Sequence, residues 1–420
     1  MSSPTIRNSK TARAVVLGAL GALAILCIGE RAHAQQVELS RAYVVRRLTE
    51  APQARASEAQ VGVSRAAVTA AGVLSLDNPL LSALGGVRSN PDGSKRLAGA
   101  ATLSWPVDTG GKRSDRVDAA TAEHRDARSA GNLRKQQLLL TVLLRHAMAL
   151  RDAQQVALAE ARAANSLKVL EAAKRRHIAG SVPPIDVSLA TLQHGRDAAA
   201  ALSARGEYNA DSLRLAAMLG LTTEETTRVS GALVPLEEPP PLDVMLRQID
   251  KRSDLQTATT RVQAAQARER RERSAASPTI NILAQYERDD GSNIGTVGVA
   301  VPLALLNANA SARATSQAEI RAAQAERAAL RAAAMGEIRA HYATYMATRQ
   351  AREALAPTAA AVSESIALAT RAYELGEGDL ASVLLVHRET LEAQRALLDA
   401  EYAHAAAKLE LLINAGRTPQ

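Results

Sequence analysis

Residues 180–187 read Gly180-Ser181-Val182-Pro183-Pro184-Ile185-Asp186-Val187, and 196 residues further on the chain reads Gly376-Glu377-Gly378-Asp379-Leu380-Ala381-Ser382-Val383. In each stretch a glycine closes a long run poor in breakers, and a proline or an acidic residue then opens another run. Glycine just past a helix C-terminus, followed by a cap residue or an N1 proline, is the chemistry of a sharp helical reversal. The same offset extends outward without insertion: Gly99 pairs with Gly295, Pro106 with Pro302, Arg125 with Arg321, Leu213 with Leu409 and Gly220 with Gly416. Upstream the register drifts slightly, with Asp92-Gly93-Ser94 matching Asp290-Gly291-Ser292 and Pro79 matching Pro278. Turn signals of several kinds in one register mark an internal duplication, and a duplication of this length sets the architecture.

Each half predicts the same order of elements. The first repeat, 35–234, holds strands at about 79–107 around the Asp92-Gly93 turn, a long helix over 112–178, a tip at 180–184 and a return helix over 185–219. The second, 242–420, holds strands at about 278–302, a long helix over 310–375 that Pro357 is expected to kink, a tip at 376–379 and a return helix over 380–415. The Pro-rich stretch 235–241 joins them as an irregular belt, and segments 38–72 and 242–274 are free to lie beside the upper half of each long helix. Residues 112–178 contain no proline and one interior glycine, Gly131, so a helix there is about 100 Å long. Leu140, Leu143, Ala147, Leu150, Ala157, Ala161 and Ala164 follow a 3-4 spacing and are expected to form a seam.

The strands alternate. Leu97, Ala101, Leu103, Trp105 and Val107 share one face, against Ala98, Ala100, Thr102 and Ser104; Val297, Val299 and Val301 oppose Thr296, Gly298 and Ala300. About ten residues with one apolar and one small or polar face suit a strand of a membrane barrel, although soluble hairpins packed on a helix would alternate as well. Four strands cannot close a membrane barrel, whereas three chains would supply twelve.

Arg7, Lys10 and Arg13, an apolar run from Ala14 to Ile28, and Ala32-His33-Ala34 together read as a signal peptide over 1–34. Cys27 is the sole cysteine, and Leu26 before it does not suit a lipoprotein, so cleavage after Ala34 is expected to leave no thiol. No later stretch is apolar for the length of a transmembrane helix. The net charge is +8, with basic and acidic residues interleaved, no phenylalanine and one tryptophan. A nucleic-acid partner calls for clustered charge with stacking aromatics, and neither is present.

At this point the sequence resembles the outer-membrane efflux protein family, often called the TolC family, and within it the outer-membrane components of cobalt-zinc-cadmium type pumps. The resemblance covers the mature chain and is carried by Trp105-Pro106-Val107-Asp108-Thr109-Gly110-Gly111-Lys112-Arg113, by Val301-Pro302-Leu303-Ala304-Leu305-Leu306-Asn307 and by the two tips. It implies a mainly α fold with a small β part: a homotrimer whose twelve-stranded barrel lies in outer-membrane lipid above a periplasmic tunnel of long coiled-coil hairpins. It further implies a passive exit duct fed by an inner-membrane resistance-nodulation-division pump through a periplasmic adaptor (membrane fusion) protein. Heavy-metal cations are the implied cargo, with drugs or other small molecules the alternative. The chain departs from such barrels in having few aromatics, with Trp105 and Tyr286 alone in the strands. A periplasmic adaptor, or a structural coiled-coil protein, would also use long helices. The first would need barrel domains flanking one hairpin, and the second would not need strands.

Candidate sites follow from this frame. Gly180, Ser181, Val182, Pro183, Gly376, Glu377, Gly378 and Leu380 are expected at the adaptor-docking tips. Glu377 and Asp379 would form rings of carboxylates at a periplasmic gate, although Asp379 is equally placed to cap the return helix. Gly110, Gly111, Lys112 and Arg113 read as a strand-to-helix junction with cations near the membrane boundary. No nucleophile elbow, phosphate loop or metal-ligand spacing is present, so no enzyme and no cofactor is expected. His177, His194, His387 and His404 read as solvated helix positions ahead of metal ligands. N-terminal sequencing of the exported protein should give a mature chain beginning Gln35-Gln36 without lipid; a diacylglyceryl Cys27 would contradict this reading.

Overall fold

The computed structural model describes residues 37–221, 227–233, 237–289, 291–303 and 308–417. The signal peptide with Cys27, together with Asp290 and residues 304–307, lies outside the described residues.

The first half runs β1 (Val37–Leu39), α1 (Arg41–Arg47), α2 (Pro52–Ala71), β2 (Leu80–Ser89), β3 (Lys95–Val107), α3 (Lys112–Ile178), α4 (Pro184–Met218) and β4 (Thr227–Val229). The second runs α5 (Leu242–Arg247), α6 (Ser253–Ser274), β5 (Ile280–Asp289), β6 (Ser292–Ala300), α7 (Ala310–Leu355), α8 (Thr358–Leu375) and α9 (Leu380–Asn414). The helix expected over 310–375 is thus two helices, interrupted at Ala356-Pro357, where proline removes a donor and crowds the preceding turn. The Thr358 hydroxyl donates to the Leu355 carbonyl at 2.6 Å across the break.

The two hairpins make one antiparallel sheet in the order β2-β3-β5-β6. Its central pairing joins the repeats, from Gly99 opposite Arg288 to Val107 opposite Ile280. The β2–β3 turn closes on Asp92, whose carboxylate accepts from the Ser94 N–H at 2.9 Å and hydroxyl at 2.7 Å, while Gly93 takes φ +84°. On one face stand Leu81, Val87, Leu97, Leu103, Trp105, Ile282, Tyr286, Val297 and Val299, all well exposed in the chain. The opposite face holds Ser82, Ala98, Thr102, Gln285 and Thr296, so the alternation read over 97–107 and 296–299 is realised, while Leu80, Leu84, Leu283 and Ile294 also stand on that second face.

Below the sheet, α2 and α6 both lie along the upper part of α3, and α4 returns along its lower part. A Cβ on Gly131 would sit 3.1 Å from Val61 Cγ2, so this glycine marks the closest approach of α2 to α3. Between the repeats, Thr260 donates to Asp126 at 3.0 Å and Arg268 to Glu123 at 2.7 Å. The main core sits at mid-height: β1 and β4 pair in parallel there, and Leu39, Val44, Val142, Leu143, Leu215 and Ile413 are buried together. The connector is strapped to the second repeat, since Glu238 accepts from Lys408 at 3.0 Å and from the Tyr345 hydroxyl at 2.6 Å. Lys408 is 2% exposed, and a charge so placed requires that carboxylate.

Two expectations need correction. Leu143, Ala147 and Leu150 are buried on the seam, but Ala157, Ala161 and Ala164 are exposed in the chain, and Asp152, Ser166, Val169 and Leu170 are buried instead. Heptad drift is only about 20° between Leu150 and Ala157 and does not account for this; further along, α3 packs on other neighbours through other positions, Val169 and Leu170 meeting Ala190, Tyr373 and Leu380. Second, His387 and His404 are not on solvated faces: they are 4% and 2% exposed, as is His146 at 2%. His146 contacts the Leu39 carbonyl through Nε2 at 2.8 Å; His404 stacks on Tyr345 with centroids 5.4 Å apart. His387 is packed near Arg162 and Asp197, which pair at 2.9 Å.

Burial pushes all three imidazoles below the ordinary histidine value. The unfolded chain therefore binds more protons than the folded one below about pH 6.5, and stability falls as pH drops through that window. Helical melting followed by circular dichroism should give a lower Tm at pH 5 than at pH 7.5, with a smaller difference for His387→Gln. An unchanged difference would mean that this imidazole is not desolvated.

Candidate functional site

The two tips are built alike at the backbone. At the end of α3, Gly180 takes φ +74°, its N–H donates to the His177 carbonyl at 2.9 Å and the Ser181 N–H to the Arg176 carbonyl at 2.8 Å. At the end of α8, Gly376 takes φ +84°, donating to Tyr373 at 3.2 Å while the Glu377 N–H donates to Ala372 at 2.9 Å. These are the paired bonds of a left-handed glycine terminus, occurring twice with the 196-residue offset.

They differ in how the return helix opens. Extended Pro183 precedes Pro184 at the start of α4, whereas Asp379 caps α9 by accepting from the Ser382 N–H at 2.7 Å. That bond holds the Asp379 carboxyl below the usual carboxylate range. Gly180, Ser181, Pro183, Gly376, Glu377 and Asp379 are exposed. Leu380 is not: at 3% exposure it packs with Val169, Leu170, Ala190, Tyr373 and Val383, holding the tip from inside.

A joint between the tips escaped the sequence reading. Arg176 on α3 donates through Nη1 to the Tyr373 carbonyl at 3.1 Å and the Gly378 carbonyl at 3.2 Å, and its guanidinium lies 4.7 Å from the Tyr373 ring centroid. Tyr373 is wholly buried, and burial raises its hydroxyl pKa, with Arg176 opposing and Asp186 adding to the shift. One cation of the first repeat thus satisfies two carbonyls of the second. Arg176 stands in Lys174-Arg175-Arg176-His177, where a basic last turn reads only as a complement to the helix dipole.

At the other end of α3, the junction residues act as fasteners. A Cβ on Gly110 would lie 2.1 Å from Ser277 Oγ, and Gly111 takes φ +78° at the start of α3. Lys112 donates to the Thr279 hydroxyl at 2.8 Å, and Arg113 donates twice to the Gly72 carbonyl, at 3.1 and 2.9 Å. Arg116, unread in sequence, reaches the Ala71 carbonyl at 2.9 Å, the Val73 carbonyl at 2.6 Å and Asp108 at 3.2 Å. These guanidiniums satisfy carbonyls at and just beyond the end of α2. His177 and His194 lie apart, against Val182 and Ser166, and no group of three or more metal-ligating side chains occurs among the described residues.

Both halves match one family description, outer membrane efflux protein, over residues 44–221 and 247–416. The chain belongs to the outer membrane efflux protein family. It is 25% identical over 218 residues to the cobalt-zinc-cadmium resistance protein CzcC of Cupriavidus metallidurans, a match covering half of each chain. Its fold is that of solved outer-membrane channels. The outer membrane protein VceC of Vibrio cholerae superposes with TM-score 0.73 at 18% identity, covering 90% of this chain and 96% of that one. The CmeC outer membrane channel of Campylobacter jejuni gives 0.75 at 14% identity, covering 90% and 85%. Family and fold are those of efflux channels, not of enzymes.

The tip joint makes a direct prediction. Arg176→Ala should speed amide exchange around 372–378 by about tenfold or more while leaving the mid-height core unchanged, since a charged hydrogen-bond fork contributes about 1.5–3 kcal/mol. Arg176→Lys should fall between. Exchange followed by mass spectrometry checks this.

Proposed function

We propose that three copies of this chain form an exit duct across the outer membrane of a Gram-negative bacterium, serving an inner-membrane proton-driven pump through a periplasmic adaptor. The observation that carries the reading is the sheet, with one apolar face and two unpaired edges, β2 and β6. In hydrocarbon every backbone group must be paired within protein, so such a sheet is tenable in a membrane only when closed. Joining β6 of one copy to β2 of the next closes twelve strands. The apolar face runs from Val107 to Leu97, about 34 Å along the strand and about 26 Å across a bilayer at the usual barrel tilt.

The long helices then project away from the barrel and carry six tips around one periplasmic mouth. The exposed residues Gly180, Ser181, Pro183, Gly376 and Glu377, with Val182 and Gly378 beside them, are the adaptor-facing surface, and Leu380 supports it from within. Glu377 and Asp379 would each occur three times at the opening, where carboxylate rings favour cations. Asp379 performs this role while capping α9. Heavy-metal cations are the proposed cargo, a reading supported by the match to CzcC.

Fractionation tests the whole reading: an SDS-resistant trimer in the outer membrane is expected, and a soluble periplasmic monomer would refute it. In planar bilayers, Glu377→Gln with Asp379→Asn should lower cation selectivity, most at low ionic strength where charge is least screened. Unchanged conductance and selectivity would leave both residues as tip structure alone. Loss of the gene should sensitise cells to divalent metals; sensitivity to drugs alone would replace the cargo.

A further inference from the structure

The apolar face of the sheet carries one charge within its band. Between the levels of Val107 and Leu97, every side chain on that face of the four strands is apolar, small or uncharged except Arg288. Arg288 lies on β5, opposite Gly99 on one side and Asn293 on the other, and is exposed. It has no ion-pair or hydrogen-bond partner for its guanidinium among the described residues. The neighbouring acid does not serve it: Asp289 points to the other face and pairs with Arg88 at 2.5 Å.

Two further groups stand beside it. Tyr286, one layer further from the turn, donates its hydroxyl to Asn293 Oδ1 at 2.8 Å, so its tip leans toward Arg288's level. With Asn293 Oδ1 engaged, the amide N–H groups of Asn293 are left to donate outward. Beside Arg288 in the register, Gly99 and Gly85 put no side chain on the face. Lys95 is on the same face, four residues beyond Gly99 along β3 and about 13 Å nearer the turn.

A lone cation on a lipid-facing surface is costly at mid-membrane and far less so near the boundary. Its position near the turn end places Arg288 toward that boundary, and no described residue supplies its counter-charge. Because β5 is an inner strand, joining copies at β2 and β6 leaves this patch facing lipid. We infer that Arg288 and Asn293, with Tyr286 alongside, dock a phosphate of an outer-leaflet glycolipid headgroup, and that Lys95 receives a second phosphate of the same headgroup. Two cations about 13 Å apart fit a headgroup carrying two separated phosphates better than a phospholipid with one. This inference rests on the outer-membrane reading above.

The test is native mass spectrometry of the delipidated mature trimer, titrated with bisphosphoryl lipid A and, separately, with phosphatidylglycerol. The glycolipid is expected to bind more tightly than phosphatidylglycerol. Arg288→Gln should weaken glycolipid binding about tenfold or more, Arg288→Lys should restore most of it, and Arg88→Gln on the opposite face should bind as the parent does. Equal glycolipid affinity of the parent and Arg288→Gln, an equal loss in Arg88→Gln, or phosphatidylglycerol bound as tightly as the glycolipid would each overturn it. Fractionation of the same preparation separates the two failures. If the parent is absent from the outer membrane, the channel reading falls and takes this one with it. If an intact outer-membrane trimer gives one of the three contrary results, the lipid site alone falls.

Discussion

A backbone amide in hydrocarbon has nowhere to send its hydrogen bond except to another strand or its own helix. The β2-β3-β5-β6 sheet meets that demand at its three internal pairings and leaves it open at both edges. Much of the upper molecule follows. The β2–β3 turn is tight, one residue face of the sheet is apolar and exposed in the chain, and β3 passes within a few residues into α3. That last step is demanding in local geometry: it needs Gly110 against Ser277 and left-handed Gly111, and α7 in turn opens on left-handed Asn309. Arg113 and Arg116 then close the junction by binding the carbonyls at the end of α2, so the sheet and the long helices are fastened by hydrogen bonds as well as by chain continuity.

The long helices have a different problem. Helices of this length rich in alanine have shallow seams, and apolar contact alone specifies their alignment weakly. The charged groups buried among them supply what alanine cannot. Arg162 meets Asp197 across α3 and α4, Lys408 meets Glu238 across α9 and the connector, and Arg176 binds the second tip. Asp197 and Lys408 are each 2% exposed, and stranding a buried charge is strongly destabilising, so a slipped register would be penalised at those two points. The links join segments far apart in sequence, and two of them join the second repeat to the first repeat or to the belt between the repeats.

Duplication gives the two halves one backbone plan, but their side chains have diverged. The reversals share the same pair of glycine-terminus bonds, yet one return helix opens on prolines and the other on a capping aspartate. One descending helix runs unbroken for 67 residues and the other is interrupted at Pro357. The two tips therefore differ in chemistry: acidic Glu377 and Asp379 stand in the second reversal, whereas in the first the acid is Asp186, within the first turn of the return helix.

By itself the sequence determined the elements and their order, because turn glycines, capping residues and strand alternation act over a few neighbouring residues. The repeat, the hairpins, the tips and the apolar face of the sheet were all legible for that reason. Partnerships between distant segments were not. Nothing local marks Arg176 as a fork for Tyr373 and Gly378, Arg116 as a fastener for α2, or Arg288 as a cation with no partner among the described residues. His387 and His404 looked like polar positions on a helix, and became buried because other helices covered them. The alanine seam failed past Leu150 for the related reason that a helix changes neighbours along its length while a heptad pattern assumes one. Local stereochemistry is written in the residues that obey it; the burial and pairing of a side chain belong to whatever the fold brings beside it.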